Sequence, residues 1–168
     1  MIKLNIEVEL SIGIDSTEKY RIIQIIRLIP PKIAQSLIDK EYIIRIKHGK
    51  NMCRGTAGQY CKLKRIISLE YYFTPSVLYH EIGHFVDMDN KYYGRYFSDT
   101  QIFTEVYVKE KHTMSEFMNP YSEIYKYCTE SIQEYFAQSF AHYIMEPEKL
   151  KRVAPYTYKY IARCIEVF

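Results

Sequence analysis

The sequence predicts an α+β fold, with a small mixed sheet and helices in its N-terminal part and a helical half after it. Apolar and polar residues alternate at the start of the chain, as in half-buried strands, whereas beyond residue 74 the pattern is helical. The chain has 168 residues, of which 48% are apolar and 26% are charged, so it suits one globular domain. We therefore expect a single domain over 1–168, with a strand-rich lobe at 1–70 and a helical lobe at 74–168.

The elements of the N-terminal lobe follow from alternation, length and proline. Residues 2–12 alternate and predict an opening strand. The apolar run over 17–28 fits a helix or a buried strand, and its length favours a helix, which Pro30 and Pro31 end. The other predictions here are a helix over 31–40, a strand over 42–46, a glycine-rich loop over 48–58 and a hairpin of 59–63 with 65–70.

The helical lobe begins at Thr74, which can cap a helix, and Pro75 suits its first turn. This helix is predicted to end near Met88. The remaining predictions are a polar loop over 89–98, a helix from Ser98 to about Glu110, an irregular stretch over 111–122, a helix over 123–145 with a candidate break near Cys128, an end to that helix at Glu146-Pro147, and a last helix over 155–167.

Charge, hydropathy and cysteine spacing exclude several classes of protein. The net charge of +3 gives no reason to expect nucleic-acid binding, and no run of 18 apolar residues predicts a membrane span. The four cysteines lack the C-x-x-C spacing of a zinc ribbon or a thioredoxin-like site, although a Cys53–Cys61 bridge stays open. If Met1 is the native start, the missing signal peptide predicts a cytoplasmic protein; if a signal was removed, the protein is secreted.

The strongest chemical signal is an H-E-x-x-H motif formed by His80, Glu81 and His84 on a predicted helix. A spacing of four residues puts both imidazoles on one helix face, where they can bind one ion. Zinc favours nitrogen ligands and accepts a tetrahedral site with one position open for water. Glu81, beside the pair, can take a proton from that water.

A catalytic zinc usually needs a third protein ligand, and the sequence offers several candidates. Glu130 and Glu134 are four residues apart on a later helix, and Glu134 borders an apolar stripe, where a buried carboxylate needs a partner. Asp87 follows the motif closely and is expected to orient an imidazole rather than bind the metal. His112 and His142 are weaker candidates that fit surface or core positions.

Tyr127 lies seven residues before Glu134, where a phenol can stabilise an oxyanion if the helix is continuous. Together with Tyr127, the distinctive segments of the chain are 78–87 around the motif, 134–140 and 154–161, with 29–30 and 58–60 upstream. These segments resemble the catalytic domain of anthrax lethal factor and its toxin-related relatives, which include the Pro-Pro endopeptidases. The resemblance covers about residues 25–168.

This resemblance implies a zincin-like metallopeptidase that binds one Zn²⁺ per chain and acts on a protein or peptide substrate. It implies His80, His84 and Glu134 as the zinc ligands. Glu81 would be the general base, and Tyr127 would stabilise the tetrahedral intermediate. The family often has a second acid four residues after its ligand glutamate, and this chain departs from that pattern with Gln138. The amide can still form a hydrogen bond, so we expect Gln138 to act on a zinc ligand without binding the metal itself.

Two alternatives remain open at this level. Glu130 is the alternative metal ligand, in the arrangement of thermolysin-like enzymes. The chain is alternatively a non-catalytic binding or regulatory module that keeps a metal-stabilised fold, although the intact Glu81 and Tyr127 disfavour this.

Overall fold

A computed structural model describes residues 5–9, 16–47, 57–89 and 95–168. The four strands within these ranges are β1 (Asn5–Glu9), β2 (Ile43–Lys47), β3 (Gly58–Cys61) and β4 (Ile66–Glu70). The α-helices are α1 (Ser16–Arg27), α2 (Pro31–Asp39), α3 (Pro75–Met88), α4 (Gln101–Glu110), α5 (Glu123–Glu130), α6 (Ile132–Met145), α7 (Pro147–Val153) and α8 (Pro155–Val167), and Lys111–Glu116 forms a 3₁₀ helix.

The strands form one mixed sheet in the order β1-β2-β4-β3. β1, β2 and β4 run parallel, and β3 pairs antiparallel with β4 to give the predicted hairpin. Burial alternates along β2 and β4, because every second side chain of a strand points to the same face. Ile44, Ile46, Ile67 and Leu69 are thereby buried on one face, and β3 is left as one edge of the sheet.

The centre of the fold is a pair of helices, α3 and α6, that cross closely. Both are buried along most of their length, which is typical of a helix enclosed by other elements. A Cβ atom on Gly83 would lie 2.7 Å from the Cα and 2.8 Å from the carbonyl oxygen of Ala137. The lack of a side chain at Gly83 therefore allows the two backbones to approach this closely.

The α+β class and the mixed sheet are confirmed, and the differences lie in helix boundaries. α5 and α6 are separate helices, because Ser131 is extended and its hydroxyl accepts a hydrogen bond from the Glu134 N–H at 3.3 Å. The break therefore lies at Ser131 rather than near Cys128. α4 begins at Gln101 rather than at Ser98, because Thr100 caps it.

Other predictions are incomplete or lie outside the described residues. A further helix, α7, begins at Pro147, where we expected only an end to the preceding helix, and part of 111–122 is 3₁₀ helix. Most of the predicted loop 48–58, half of the predicted loop 89–98, parts of the opening strand and Cys53 fall outside the described residues. Cys61 is a free thiol. No described helix is long and apolar enough to span a membrane.

The start of α8 is held by a carboxylate from α4. Glu110 is buried, and it accepts hydrogen bonds from the N–H groups of Tyr156 at 3.2 Å and Thr157 at 2.7 Å. It also accepts one from the Thr157 hydroxyl at 2.8 Å. These N–H groups lie in the first turn of a helix and have no partner within it. Glu110 thus replaces a side-chain cap that Ala154, at the N-cap position, cannot supply.

Replacing Glu110 with alanine is expected to lower the free energy of unfolding by about 2–3 kcal/mol, because buried donors lose their acceptor. Urea denaturation followed by circular dichroism measures this change. Glu105→Ala, at an exposed position of the same helix, is the control and should change stability by less than about 0.5 kcal/mol. Equal effects of the two substitutions would contradict the capping role.

Candidate metal centre

His80 and His84 lie one turn apart on α3, and both rings face the crossing with α6. The ring centroids are 4.8 Å apart, with the planes nearly perpendicular at 84°. The exposed fractions of the side chains are 15% for His80 and 11% for His84, so a narrow opening to solvent remains. The rings are held by a buried helix rather than by a loop, which fixes their separation.

Glu134 brings a carboxylate to the same point from the first turn of α6. Its Oε2 atom lies 3.0 Å from Nε2 of His80 and 3.3 Å from Nε2 of His84. The donor atoms of the three residues all lie within 4.8 Å of one another. Two imidazole nitrogens and a carboxylate oxygen at this spacing fit a divalent metal such as zinc, with a fourth position left open.

Electrostatics keep Glu134 ionised despite its partial burial. Burial alone would raise the pKa of the Glu134 carboxyl, but hydrogen bonds from His80, His84 and Tyr127 outweigh it and hold the pKa far below its ordinary value. The position near the N-terminus of α6 also favours a negative charge. The site therefore presents an anionic oxygen, which is the form that binds a metal.

Gln138, one turn after Glu134 on α6, contacts the side of the His80 ring that faces away from Glu134. Its Oε1 lies 3.1 Å from Nδ1 of His80. An amide oxygen only accepts, so Nδ1 carries the proton there. In the metal-free site Nε2 of His80 also donates to Glu134. A metal would displace that proton and bind the Nε2 lone pair, while Nδ1 would keep Gln138 as its outer partner. Gln138 thus contacts His80 in this structure, and its effect on a bound metal stays a prediction.

Glu81 lies on the neighbouring face of α3, against the edge strand β3. Its side chain is buried, and a Cβ atom on Gly58 would lie 2.7 Å from Glu81 Oε1, so β3 contacts it closely. Burial raises the pKa of Glu81, while His80, His84 and the backbone N–H of Tyr60 oppose the rise. A raised pKa suits a carboxylate that must take up and release a proton.

Tyr127 lies near Glu134 although the predicted helix over 123–145 is divided into α5 and α6. It lies on α5, before the break at Ser131, and 58% of the residue is exposed. Burial and a hydrogen bond to Glu134 both raise the pKa of its hydroxyl, which therefore stays protonated and can donate. Because an extended residue separates the helices, the contact does not come from a shared helix face.

The other candidate ligands lie elsewhere. Glu130, the last residue of α5, is exposed and is not part of the cluster that the described residues form, and His112 is exposed on the 3₁₀ helix. His142 is buried on α6.

Asp87 anchors the segment after α3. It is fully buried and accepts hydrogen bonds from the Ser98 N–H and the Ser98 hydroxyl, both at 2.7 Å. The charge of Asp87 also acts on His84, three residues earlier on α3, and a role in orienting an imidazole stays a prediction. Burial raises the pKa of Asp87 to about 6.

The raised pKa of Asp87 makes the stability of the metal-free protein depend on pH. The folded state binds the proton more tightly than the unfolded chain, so the contribution of Asp87 is favourable below about pH 4 and is lost as the pH rises to about 6. Asp87→Asn should remove this loss, which is on the order of 3 kcal/mol. Urea denaturation at pH 4.5 and 7.5 with chelator measures the difference between the two proteins. A constant difference would contradict the prediction.

The α+β fold, with two histidines on one helix and a glutamate on the helix that crosses it, defines a zincin-like domain. A family model described as "Anthrax toxin lethal factor, N- and C-terminal domain" matches residues 60–164, which is more than half of the chain. The chain belongs to this family, as the sequence resemblance implied.

A solved structure supports the fold independently. The chain is similar to the PRO-PRO endopeptidase PPEP-2 from Paenibacillus alvei, with a TM-score of 0.71 and 20% identity. The similarity covers 94% of this chain and 96% of that one. The comparison with curated proteins gives no match.

Proposed function

We propose that this protein is a zinc-dependent endopeptidase that hydrolyses a protein or peptide substrate. The observation that carries the proposal is the convergence of His80, His84 and Glu134 beside the buried carboxylate of Glu81. These three residues would hold one zinc ion. When bound, zinc would acidify a water molecule and polarise a carbonyl group.

The chain's own residues would carry the proton transfers. Glu81 would take the proton of the attacking water and pass it to the leaving nitrogen, and its raised pKa favours both steps. The Tyr127 hydroxyl would donate a hydrogen bond to the developing oxyanion. In the metal-free site this hydroxyl interacts with Glu134.

The edge of the sheet supports a peptide as the substrate. Ala57 accepts a hydrogen bond from the Glu70 N–H at 3.0 Å, so in the antiparallel pair Gly58 and Tyr60 direct their backbone groups away from β4. An extended peptide can pair with such an edge. The Tyr60 N–H points at Glu81, so a peptide bound along β3 would pass beside the proposed base.

The similar protein from Paenibacillus alvei is described as a PRO-PRO endopeptidase, so peptides with consecutive prolines are the first substrates to test. The experiment measures zinc content after dialysis and the cleavage of a peptide library rich in Pro-Pro sequences, with and without chelator. We expect one zinc per chain and cleavage that stops on chelation and returns with zinc. A protein without stoichiometric metal would refute the proposal. Bound metal without cleavage of any peptide would favour the non-catalytic module.

A further inference from the structure

A row of buried polar groups continues behind His80 along one face of α6. The Nδ1 atom of His80 lies 3.1 Å from Oε1 of Gln138, and Nε2 of Gln138 lies 3.1 Å from Nε2 of His142. At the far end, Nδ1 of His142 lies 3.4 Å from Oε1 of the half-buried Glu146. Gln138, His142 and Glu146 are each four residues apart, so successive turns of α6 carry the row.

The chemistry of these groups determines which atom donates and which accepts at each contact of the row. A metal-binding His80 carries its proton on Nδ1, which therefore needs the oxygen of the Gln138 amide. The Cys128 thiol, whose sulfur lies 4.0 Å from the same oxygen, can also donate a weak hydrogen bond to it. The amide nitrogen of Gln138 then faces His142. Because this nitrogen is a donor, Nε2 of His142 must offer a lone pair. His142 must therefore be neutral, with its proton on Nδ1, which lies 3.4 Å from Glu146 Oε1 without the alignment of a hydrogen bond.

We propose that His142 is a positioning residue for the metal site: by accepting from Gln138, it fixes the amide with its oxygen towards His80. If the amide turned over, its NH₂ group would face the N–H of His80, and two donors would meet. His80 would then have to move its proton to Nε2, the atom that binds the metal. The inference rests on the proposed metal site and adds a residue that does not itself contact the metal.

The surroundings of His142 suit this role. The ring is buried, and it stacks on Phe117 with centroids 4.0 Å apart and planes 26° from parallel. Burial lowers the pKa of His142, although Glu146 opposes this, so the ring is neutral near pH 7 and can accept. Stacking and burial leave the imidazole little freedom to turn away from Gln138.

A double-mutant cycle on zinc affinity tests the proposal. His142→Phe keeps a ring against Phe117 and removes the acceptor, so we expect zinc to bind about tenfold more weakly, as for other outer-shell partners. Gln138→Glu offers two equivalent acceptor oxygens to His80 and needs no orientation. In the Gln138→Glu background, His142→Phe should therefore change the affinity less than twofold. His112→Phe, at an exposed histidine, is the matched control and should have no effect.

The outcomes separate this inference from the proposed function. An equal loss of affinity in both backgrounds would assign the effect to packing and overturn the proposal, as would no loss in either. A wild-type protein that binds no zinc would instead refute the proposed function. Nitrogen-15 NMR of the metal-free wild type decides the point even if a variant does not fold. We expect His142 as the neutral Nδ1–H tautomer, and a proton on its Nε2 would overturn the proposal.

Discussion

Replacing Glu81 with glutamine should reduce peptide cleavage by about 10²–10⁴-fold while the bound zinc remains. Glutamine has nearly the same shape, so contact with Gly58 and the position of α3 are retained. The amide cannot accept a proton from water near neutral pH, and the proposed base is lost. The ratio kcat/KM on the best library peptide, together with the zinc content of the same samples, measures the effect.

The control for this variant is Glu123→Gln, at an exposed position on α5. It makes the same chemical change away from the site and should leave both cleavage and zinc content unchanged. If Glu81→Gln cleaves as fast as the wild type, the assignment of Glu81 as the general base is wrong. If it loses its zinc, its defect reflects the metal site rather than proton transfer.

Gly83→Ala should cause the largest loss of stability, because the new methyl group would lie 2.7 Å from the Cα atom of Ala137. Backbone cannot give way as a flexible side chain does, so α3 and α6 must separate. We expect the free energy of unfolding to fall by about 3 kcal/mol, even after the better helix propensity of alanine is counted. Since the histidines and Glu134 lie on opposite sides of this crossing, zinc affinity should fall at least tenfold as well.

Urea denaturation of the metal-free protein and zinc competition with a chromophoric chelator measure the two effects separately. Ser76→Ala, near the start of the same helix, is the control and should change stability by no more than about 0.5 kcal/mol. A Gly83→Ala variant with unchanged stability and affinity would show that the two helices do not cross as closely as described.

The sequence predicts the elements well where local chemistry determines them. Thr74 and Pro75 place the start of α3, and alternation identifies β2 and β4, because both signals arise within a few residues. The predicted break near Cys128 lies three residues before the observed break at Ser131. A serine between two helix-forming segments is a capping signal, and it predicts the start of α6 once it is read as an N-cap.

For the candidate site, the H-E-x-x-H motif predicts three residues, but it does not contain the third candidate metal ligand. The spacing of His80, Glu81 and His84 is local, but Glu134 joins them from 54 residues away. The sequence pattern alone leaves both Glu130 and Glu134 as candidates for the third ligand, and the family resemblance favours Glu134. The close approach at Gly83 and the contact between His80 and Gln138 could not be read from spacing, because they depend on how α3 and α6 cross.

The distance along the chain between the two parts of the candidate metal centre has a thermodynamic consequence. His80 and Glu134 are separated by 54 residues, so an unfolded chain brings them together only at the entropic cost of closing a long loop. A cation that needs all three ligands would therefore bind the native state far more tightly than the unfolded chain. Its binding free energy would then add to the stability of the fold by mass action. The thermal midpoint of this protein should accordingly rise with the concentration of free zinc, and the metal would act as a folding cofactor.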